Sequence, residues 1–210
     1  MNIRAAHSGW IWGAGAILLI LGWARLAPGC ELPAAPNTSG SRLVLRVDGA
    51  KSVVSFEAKA FLHGFSGRTS KILGTIRLVA PNRLDGAEAC FRIDAASLAT
   101  GNDTRDAIMR DDHLETRAFP SIALDLMQVN DAGRTADGWT IVARGLLTLH
   151  GVARETLLSV RARQDREVVR LTGEVPVKMS DHGIPVPKFL FLTVEDQVLV
   201  RFDVTATRVP

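Results

Sequence analysis

The sequence predicts an all-β protein: an eight-stranded antiparallel barrel, with a short helical segment crossing one end and a hydrophobic helix ahead of it. Three observations lead to this prediction. From residue 43 onward, hydrophobic and polar residues alternate, which is the pattern of strands that bury one face. Short segments rich in Gly, Pro, Asn and Asp separate the alternating stretches and are typical of turns. Hydrophobic residues make up 47% of the 210 residues, which is enough for a substantial core.

The first 40 residues are predicted to be a targeting segment and linker rather than part of the barrel. Arg4 precedes an apolar run at 10–24, and a stretch rich in Pro, Ala, Ser and Gly follows, as in a secretory signal peptide. Residues 5–24 carry no formal charge when histidine is neutral, and these 20 residues suffice to span a bilayer as a helix. A cleaved signal peptide and a retained membrane anchor therefore both remain open. Either route places the folded domain, residues 41–210, in the periplasm or outside the cell.

Two cysteines, Cys30 and Cys90, are too few for a disulfide framework. Cys30 ends a stretch that resembles a bacterial lipoprotein signal, but Pro28 stands where a small or β-branched residue is usual, and Leu26 sits one place too early. We therefore expect Cys30 to be incidental and a lipid anchor there to be less favoured. The alternation places Cys90 on the polar face of its strand, where we expect a passive small residue. No CxxC pair or His/Cys cluster indicates a metal site, and no cofactor is expected.

The first half of the domain contains four predicted strands. In the first of them, Val54, Phe56 and Ala58 share one face, while Ser55 and Glu57 fall on the other. The same alternation marks the next three strands. These four strands are predicted at 51–60, 71–79, 87–94 and 121–129.

The second half repeats the pattern with four more strands. Trp139, Ile141 and Ala143 begin the apolar face of the first of these strands. The segment 130–133 and the pair at 137–138 carry turn signals ahead of it. These four strands are predicted at 139–149, 158–162, 169–177 and 194–204.

Residues 100–115 are polar and break the alternation. Asn102 and the residues next to it offer side chains suited to an N-cap, and Ile108 and Met109 lie on one side at helical spacing. We predict a short helix or a pair of turns packed across one end of the barrel. Pro120 then restricts Phe119 to an extended conformation that leads into the next strand.

Closing eight strands into a barrel removes the exposed sheet edges. The interior of such a barrel is either filled by side chains or holds one small ligand. Alternation alone does not separate these two cases, so a ligand-holding barrel and a packed structural or interaction barrel both remain open. In a hollow barrel, inward apolar side chains form the cavity wall. The candidates are Phe56, Ile76, Phe91, Ile93, Leu124, Leu126, Leu147, Val160, Val200 and Phe202.

Charge and motifs argue against several functional classes. The net charge is only +3, and no basic stripe with interleaved aromatic residues is present, so nucleic acid is not an expected partner. The sequence has no nucleophile elbow, phosphate-binding loop or HExxH motif, so we do not expect an enzyme. A histidine near a barrel mouth can meet an anionic headgroup, and His63 is the candidate for that contact. Whether the barrel forms a homodimer is left open.

Four stretches of the sequence together resemble the YceI family. They are the loop at 63–67 with the strand that follows, the segment 93–102 with its continuation to 122, the stretch 145–152, and the segment 179–184 with the final strand. The order and spacing match over residues 43–207.

The resemblance implies a lipocalin-like eight-stranded barrel, export to the bacterial periplasm, and a long isoprenoid or related amphiphile in the cavity. It implies no catalytic residues. The alternative remains a packed barrel without a ligand, which acts in an envelope stress response. The loop at 60–67 is more compact than the one that many members carry, which affects the expected entrance to the barrel.

Overall fold

A computed structural model describes Cys30, Leu32 and the ranges 42–60, 64–80, 83–189 and 192–209. The predicted targeting segment, including residues 5–24, lies outside this part of the chain apart from the two isolated residues. His63 also lies outside it. Among the described residues, no helix has the length and apolar character needed to cross a membrane.

The described part of the chain is built mainly from strands. Three single 3₁₀ turns occur at Gly49–Lys51, Ala95–Ser97 and Ser180–His182. The strands are β1 (Leu43–Val47), β2 (Val53–Ala60), β3 (Phe65–Thr69), β4 (Ile72–Leu78), β5 (Glu88–Asp94), β6 (Ser121–Thr135), β7 (Gly138–Leu149), β8 (Val152–Asp165), β9 (Val168–Lys178), β10 (Lys188–Phe189) and β11 (Leu192–Arg208).

These strands form a closed antiparallel barrel with eight positions around its circumference. β1 and β2 follow one another along the same edge of β11 and occupy one position, interrupted by the 3₁₀ turn between them. β3 and β4 occupy the next position in the same way. From β4 onward each strand pairs with its successor through β9, and β11 then pairs with β9, β1 and β2. Leu45 opposite Arg208 closes the ring. The predicted antiparallel barrel is therefore confirmed.

The strand boundaries differ from the predicted ones in several respects, and β8, which spans Val152–Asp165 against the predicted 158–162, shows the largest extension. β1 and β3 were not predicted, because each has only five residues and takes its stability from pairing along the barrel. The turn predicted at 130–133 is wrong, since β6 continues through it to Thr135 and the chain reverses just beyond. The pairing of β6 with β7 is irregular after Leu126 and again after Val129. Each irregularity shifts the alternation of side chains, so the second half of β6 does not show a regular strand pattern in the sequence.

The predicted crossing segment contains one short helix. α1 spans Asp103–Ile108 and runs into a π-helical turn, Met109–His113. Asn102 is its N-cap, with its side-chain oxygen accepting a hydrogen bond from the Arg105 backbone N–H at 2.9 Å. On one side of the barrel end, Ala99 exchanges two backbone hydrogen bonds with Arg68 of β3.

The far side of this segment reaches the loop after β9. There His113 Nδ1 donates to the Pro185 carbonyl at 2.8 Å. The segment therefore spans one end of the barrel, as predicted.

The structure corrects the expectation for the two cysteines. Cys30 and Cys90 form a disulfide, with their Cα atoms 5.6 Å apart. Cys90 does lie on the outer face of β5, between Thr75 and Asp125 on the neighbouring strands. It is nevertheless only 2% exposed. The two residues are 60 positions apart in the sequence, so alternation along one strand gave no sign of the bond.

Candidate functional site

The described part of the chain encloses two adjoining apolar cavities in the barrel interior. The first, which we call the inner lobe, has a volume of about 190 Å³ and lies toward the end crossed by α1. The second, the outer lobe, has a volume of about 140 Å³ and lies toward the turns that join β6 to β7 and β8 to β9. For scale, an engineered apolar cavity of about 150 Å³ stays dry and binds benzene. Each lobe is thus of a size that accommodates a small hydrocarbon group.

The inner lobe is lined almost entirely by hydrocarbon. Ser55 and Thr156 are the polar residues in its lining, and every lining residue is buried or half-buried. Leu98, which is 7% exposed, belongs to the crossing segment and helps to close this end. The remaining lining residues are Val54, Phe56, Ile72, Phe91, Ile93, Ile122, Leu124, Leu147, Leu149, Leu158, Val160, Leu171, Val175, Val177, Val200, Phe202 and Val204.

The outer lobe reaches the protein surface. Two exposed residues at the end of β8, Arg163 and Gln164, belong to its lining. Trp139 lines the same end, and the guanidinium carbon of Arg134 lies 5.5 Å from the centre of its ring, which is within cation–π range. The solvent-facing mouth of the cavity therefore combines an aromatic ring with cationic and amide groups.

A constriction separates the two lobes. It consists of the five residues that line both of them, contributed by four of the five consecutive strands β5 to β9. The constriction residues are Phe91 on β5, Leu124 on β6, Leu158 and Val160 on β8, and Leu171 on β9.

The ten predicted wall residues all line one of the lobes or both. Ile76 and Leu126 line the outer lobe, Phe91, Leu124 and Val160 line both, and the other five line the inner lobe. Contact of these side chains with a ligand stays a prediction. Sequence reasoning missed Leu98, because it follows the 3₁₀ turn after β5 and no strand alternation marks it.

Each of the three cavity phenylalanines lies directly opposite a glycine on the neighbouring strand. Phe91 pairs with Gly74, Phe202 with Gly173, and Phe56 with Gly67. A Cβ atom added at these glycines would lie only 2.7 Å from the Phe91 ring, 2.5 Å from the Phe202 ring and 2.4 Å from the Phe56 ring. The three rings therefore cover the backbone of the barrel wall at these glycines.

Comparison with known proteins identifies the family. The family model described as "YceI-like domain" matches residues 45–206. This chain belongs to the YceI-like family. The resemblance inferred from the sequence is thereby confirmed.

Two solved structures share the fold of this YceI-like chain. BcnA of Burkholderia cenocepacia superposes with a TM-score of 0.68 at 22% identity, covering 77% of this chain and 99% of that one. A polyisoprenoid binding domain from Saccharophagus degradans, implicated in plant cell wall breakdown, gives 0.62 at 22% identity, with 80% and 99% covered. Among curated proteins, no sequence matches.

In this YceI-like barrel a buried carboxylate anchors the crossing segment. Asp106 is 4% exposed and accepts hydrogen bonds from the Thr100 backbone N–H at 2.9 Å and from its hydroxyl at 2.5 Å. The hydroxyl hydrogen bond holds the pKa of Asp106 below its usual range, against the opposing effect of burial. Arg105 donates to the same Thr100 hydroxyl oxygen at 2.8 Å and lies 4.8 Å from the Phe65 ring. This network fixes α1 over the inner lobe.

Two histidines join the turns at the same end of the barrel. His182 is 3% exposed, and its Nδ1 donates to the Val152 carbonyl at 3.0 Å. His150 Nδ1 donates to the His182 carbonyl at 3.2 Å, and its ring lies 4.4 Å from that of Phe119. These contacts give both histidines a structural role. In the described part of the chain, His, Cys, Asp and Glu form no group of three that could hold a metal.

Proposed function

We propose that this barrel binds one amphiphile of the isoprenoid class, with the apolar chain inside the barrel. The observation that carries the proposal is the adjoining pair of lobes, lined by hydrocarbon over nearly their whole length and reaching the surface at one end. Each CH₂ group moved from water into such an interior contributes about 0.8 kcal/mol. A lining with so few polar groups favours a chain over a polar molecule of the same size.

The proposed polar end of the ligand lies at the mouth of the outer lobe. Arg163 Nε is 2.7 Å from Asp137 Oδ2, but both side chains are well exposed, so this ion pair holds the guanidinium weakly. An anionic headgroup can compete with Asp137 for the Arg163 guanidinium. The Trp139 ring would then cover the first part of the ligand's apolar chain. Contact between a headgroup and His63 stays a separate prediction.

We propose further that the protein is a carrier or sequestering protein of the bacterial cell envelope. The signal-like N-terminus supports this location, and so does the Cys30–Cys90 disulfide, since such bonds persist in oxidising compartments. The Saccharophagus degradans structure, described as a polyisoprenoid binding domain, supports the ligand class. YceI-like proteins form a binding family, and the proposed activity is binding without catalysis. Membrane contact through residues 5–24 belongs to the same proposal.

Uptake of isoprenoid alcohols by the full chain, followed by native mass spectrometry, tests the proposal. We expect one alcohol per barrel. In the variant Val160→Phe, an added ring fills the constriction and part of both lobes, so uptake should fall at least about tenfold. The matched control is Val142→Phe, which adds the same ring on the outer face of β7, where Val142 is 40% exposed. Its uptake should equal that of the wild type.

Two results would count against a ligand-holding barrel. One is an absence of bound amphiphile, both in protein purified from its own host and after titration with isoprenoid alcohols. The other is equal uptake by the Val160→Phe and Val142→Phe variants, which would place the amphiphile outside the lobes. Either result would favour the structural or interaction barrel instead.

A further inference from the structure

The constriction between the lobes is formed by two groups of side chains within the five consecutive strands β5 to β9. Phe91 and Leu124 are cross-strand partners on β5 and β6. Leu158, Val160 and Leu171 lie on β8 and β9, with β7 between the two groups. A chain that extends from one lobe into the other must pass these side chains.

Phe91 differs from the other residues of the constriction. It is the aromatic residue among the five, and its ring lies over Gly74, where an added Cβ would be 2.7 Å from Cδ1. The same Cβ would lie 2.6 Å from Val47 Cγ2, so the ring and this neighbour already occupy the space above the glycine. Because these atoms fill the space above Gly74, the Phe91 ring cannot move toward the barrel wall.

The other two cavity phenylalanines provide an internal comparison. Phe56 and Phe202 also lie over glycines, yet both line the inner lobe alone. Phe91 thus combines the glycine-backed geometry with a place between the lobes.

We propose that Phe91 determines the length of apolar chain that the barrel accepts. This inference rests on the proposed binding function. A chain short enough for the outer lobe binds without any movement of the ring. A longer chain must pass the Phe91 ring, which cannot withdraw into the filled wall behind it, before its end reaches the inner lobe. Affinity therefore rises with chain length until the chain meets Phe91, and then levels off.

The test measures affinity for straight-chain alcohols lengthened one carbon at a time, with the full chain and isothermal titration calorimetry. For the wild type we expect a gain of about fourfold per CH₂, followed by a plateau. In Phe91→Ala the plateau should move to chains several carbons longer. The matched control is Phe202→Ala, which removes the same atoms from the inner lobe and should leave the plateau at the wild-type length.

A second pair of variants covers the case in which the alanine variants do not fold. Phe91→Leu and Phe202→Leu retain most of the side-chain volume, and the plateau should again move in the first variant alone. An unchanged plateau in the Phe91 variants, with binding intact, would overturn the role of Phe91 and leave the proposed binding function standing. Failure of the wild type to bind any of the alcohols would overturn the proposed function itself, and this inference with it.

Discussion

Glycine is as important as phenylalanine for the shape of the cavity. A cross-strand glycine leaves the backbone uncovered, and an aromatic ring opposite it covers that backbone and stabilises the pair. Among the described residues of this barrel, the arrangement occurs three times on the inner face. Each ring lies against the wall, over the backbone of its partner glycine.

The variant Gly173→Ala tests this role of glycine. The new methyl group would lie 2.5 Å from the Phe202 ring and 2.4 Å from the Ser159 carbonyl oxygen, so the ring must move into the cavity and the strand must shift. We expect the free energy of unfolding to fall by about 1–3 kcal/mol, as in other overpacked interiors. Urea denaturation measures the change.

Gly133→Ala provides the matched control. A Cβ at Gly133 would approach only the Thr140 hydroxyl, at 3.3 Å, and this part of β6 is exposed. We expect little change in the free energy of unfolding. Equal stability of the two variants would show that the Phe202 ring does not depend on the glycine.

At the scale of an element, the crossing segment closes the inner end of the barrel through polar contacts as well as apolar ones. Leu98 provides the apolar contact with the inner lobe, and the buried Asp106 carboxylate holds the segment in place through Thr100. The hydroxyl groups of Ser97 and of Thr69 on β3 share a further hydrogen bond of 2.6 Å. The closure therefore depends on a charged group whose ionisation changes in acid.

The ionisation of Asp106 predicts a specific acid sensitivity. Because the pKa of Asp106 is lower in the folded than in the unfolded state, its carboxylate stabilises the fold above the usual carboxyl pKa of about 3.9. That contribution is lost as the pH falls through the lowered value. In Asp106→Asn, urea denaturation should show less stability at neutral pH and a weaker decline below about pH 4.

Asp103→Asn is the control for this experiment. Asp103 lies in the first turn of the same helix but is exposed. Hydrogen bonds from Ser180 and Arg170 also lower the pKa values of Asp196 and Asp203, respectively. Both residues are present in every variant, so their contributions to the pH dependence of stability cancel in the comparison. A wild-type pH profile that persists in Asp106→Asn would contradict the role given to this carboxylate.

At the scale of the whole molecule, the disulfide connects the N-terminal segment to the barrel wall. It closes a loop between residues 60 positions apart that contains β1 to β4. A sulfur in a disulfide cannot also carry a lipid through a thioether. The bond to Cys90 and a lipid anchor at Cys30 are therefore mutually exclusive states of the same residue.

Removal of this bond is expected to destabilise the barrel. A disulfide of this kind typically contributes about 2–4 kcal/mol, chiefly by restricting the unfolded chain. Cys90→Ser should lower the free energy of unfolding by that amount under oxidising conditions. Reductant should lower the stability of the wild type and leave that of the variant unchanged. If reductant has no effect on the wild type, the disulfide does not form in the protein as prepared.

The sequence by itself determined the strand-rich architecture and the composition of the inner wall. Alternation of side chains is a local property, because successive residues of a strand point to opposite faces. Phe56 and Val200 were therefore placed correctly on the cavity side without any knowledge of their neighbours. The resemblance to the YceI family was also evident from the sequence, and the match over residues 45–206 confirmed it.

Only the tertiary structure decided how the barrel closes and how its interior is divided. The short strands β1 and β3, the bond between Cys30 and Cys90, and the closure by Leu98 all depend on contacts between residues far apart in the sequence. The same is true of the constriction at Phe91, since the space between two walls depends on which side chains face each other across the barrel. A strand pattern specifies which side chains point inward, whereas the three-dimensional fold determines how much room they leave.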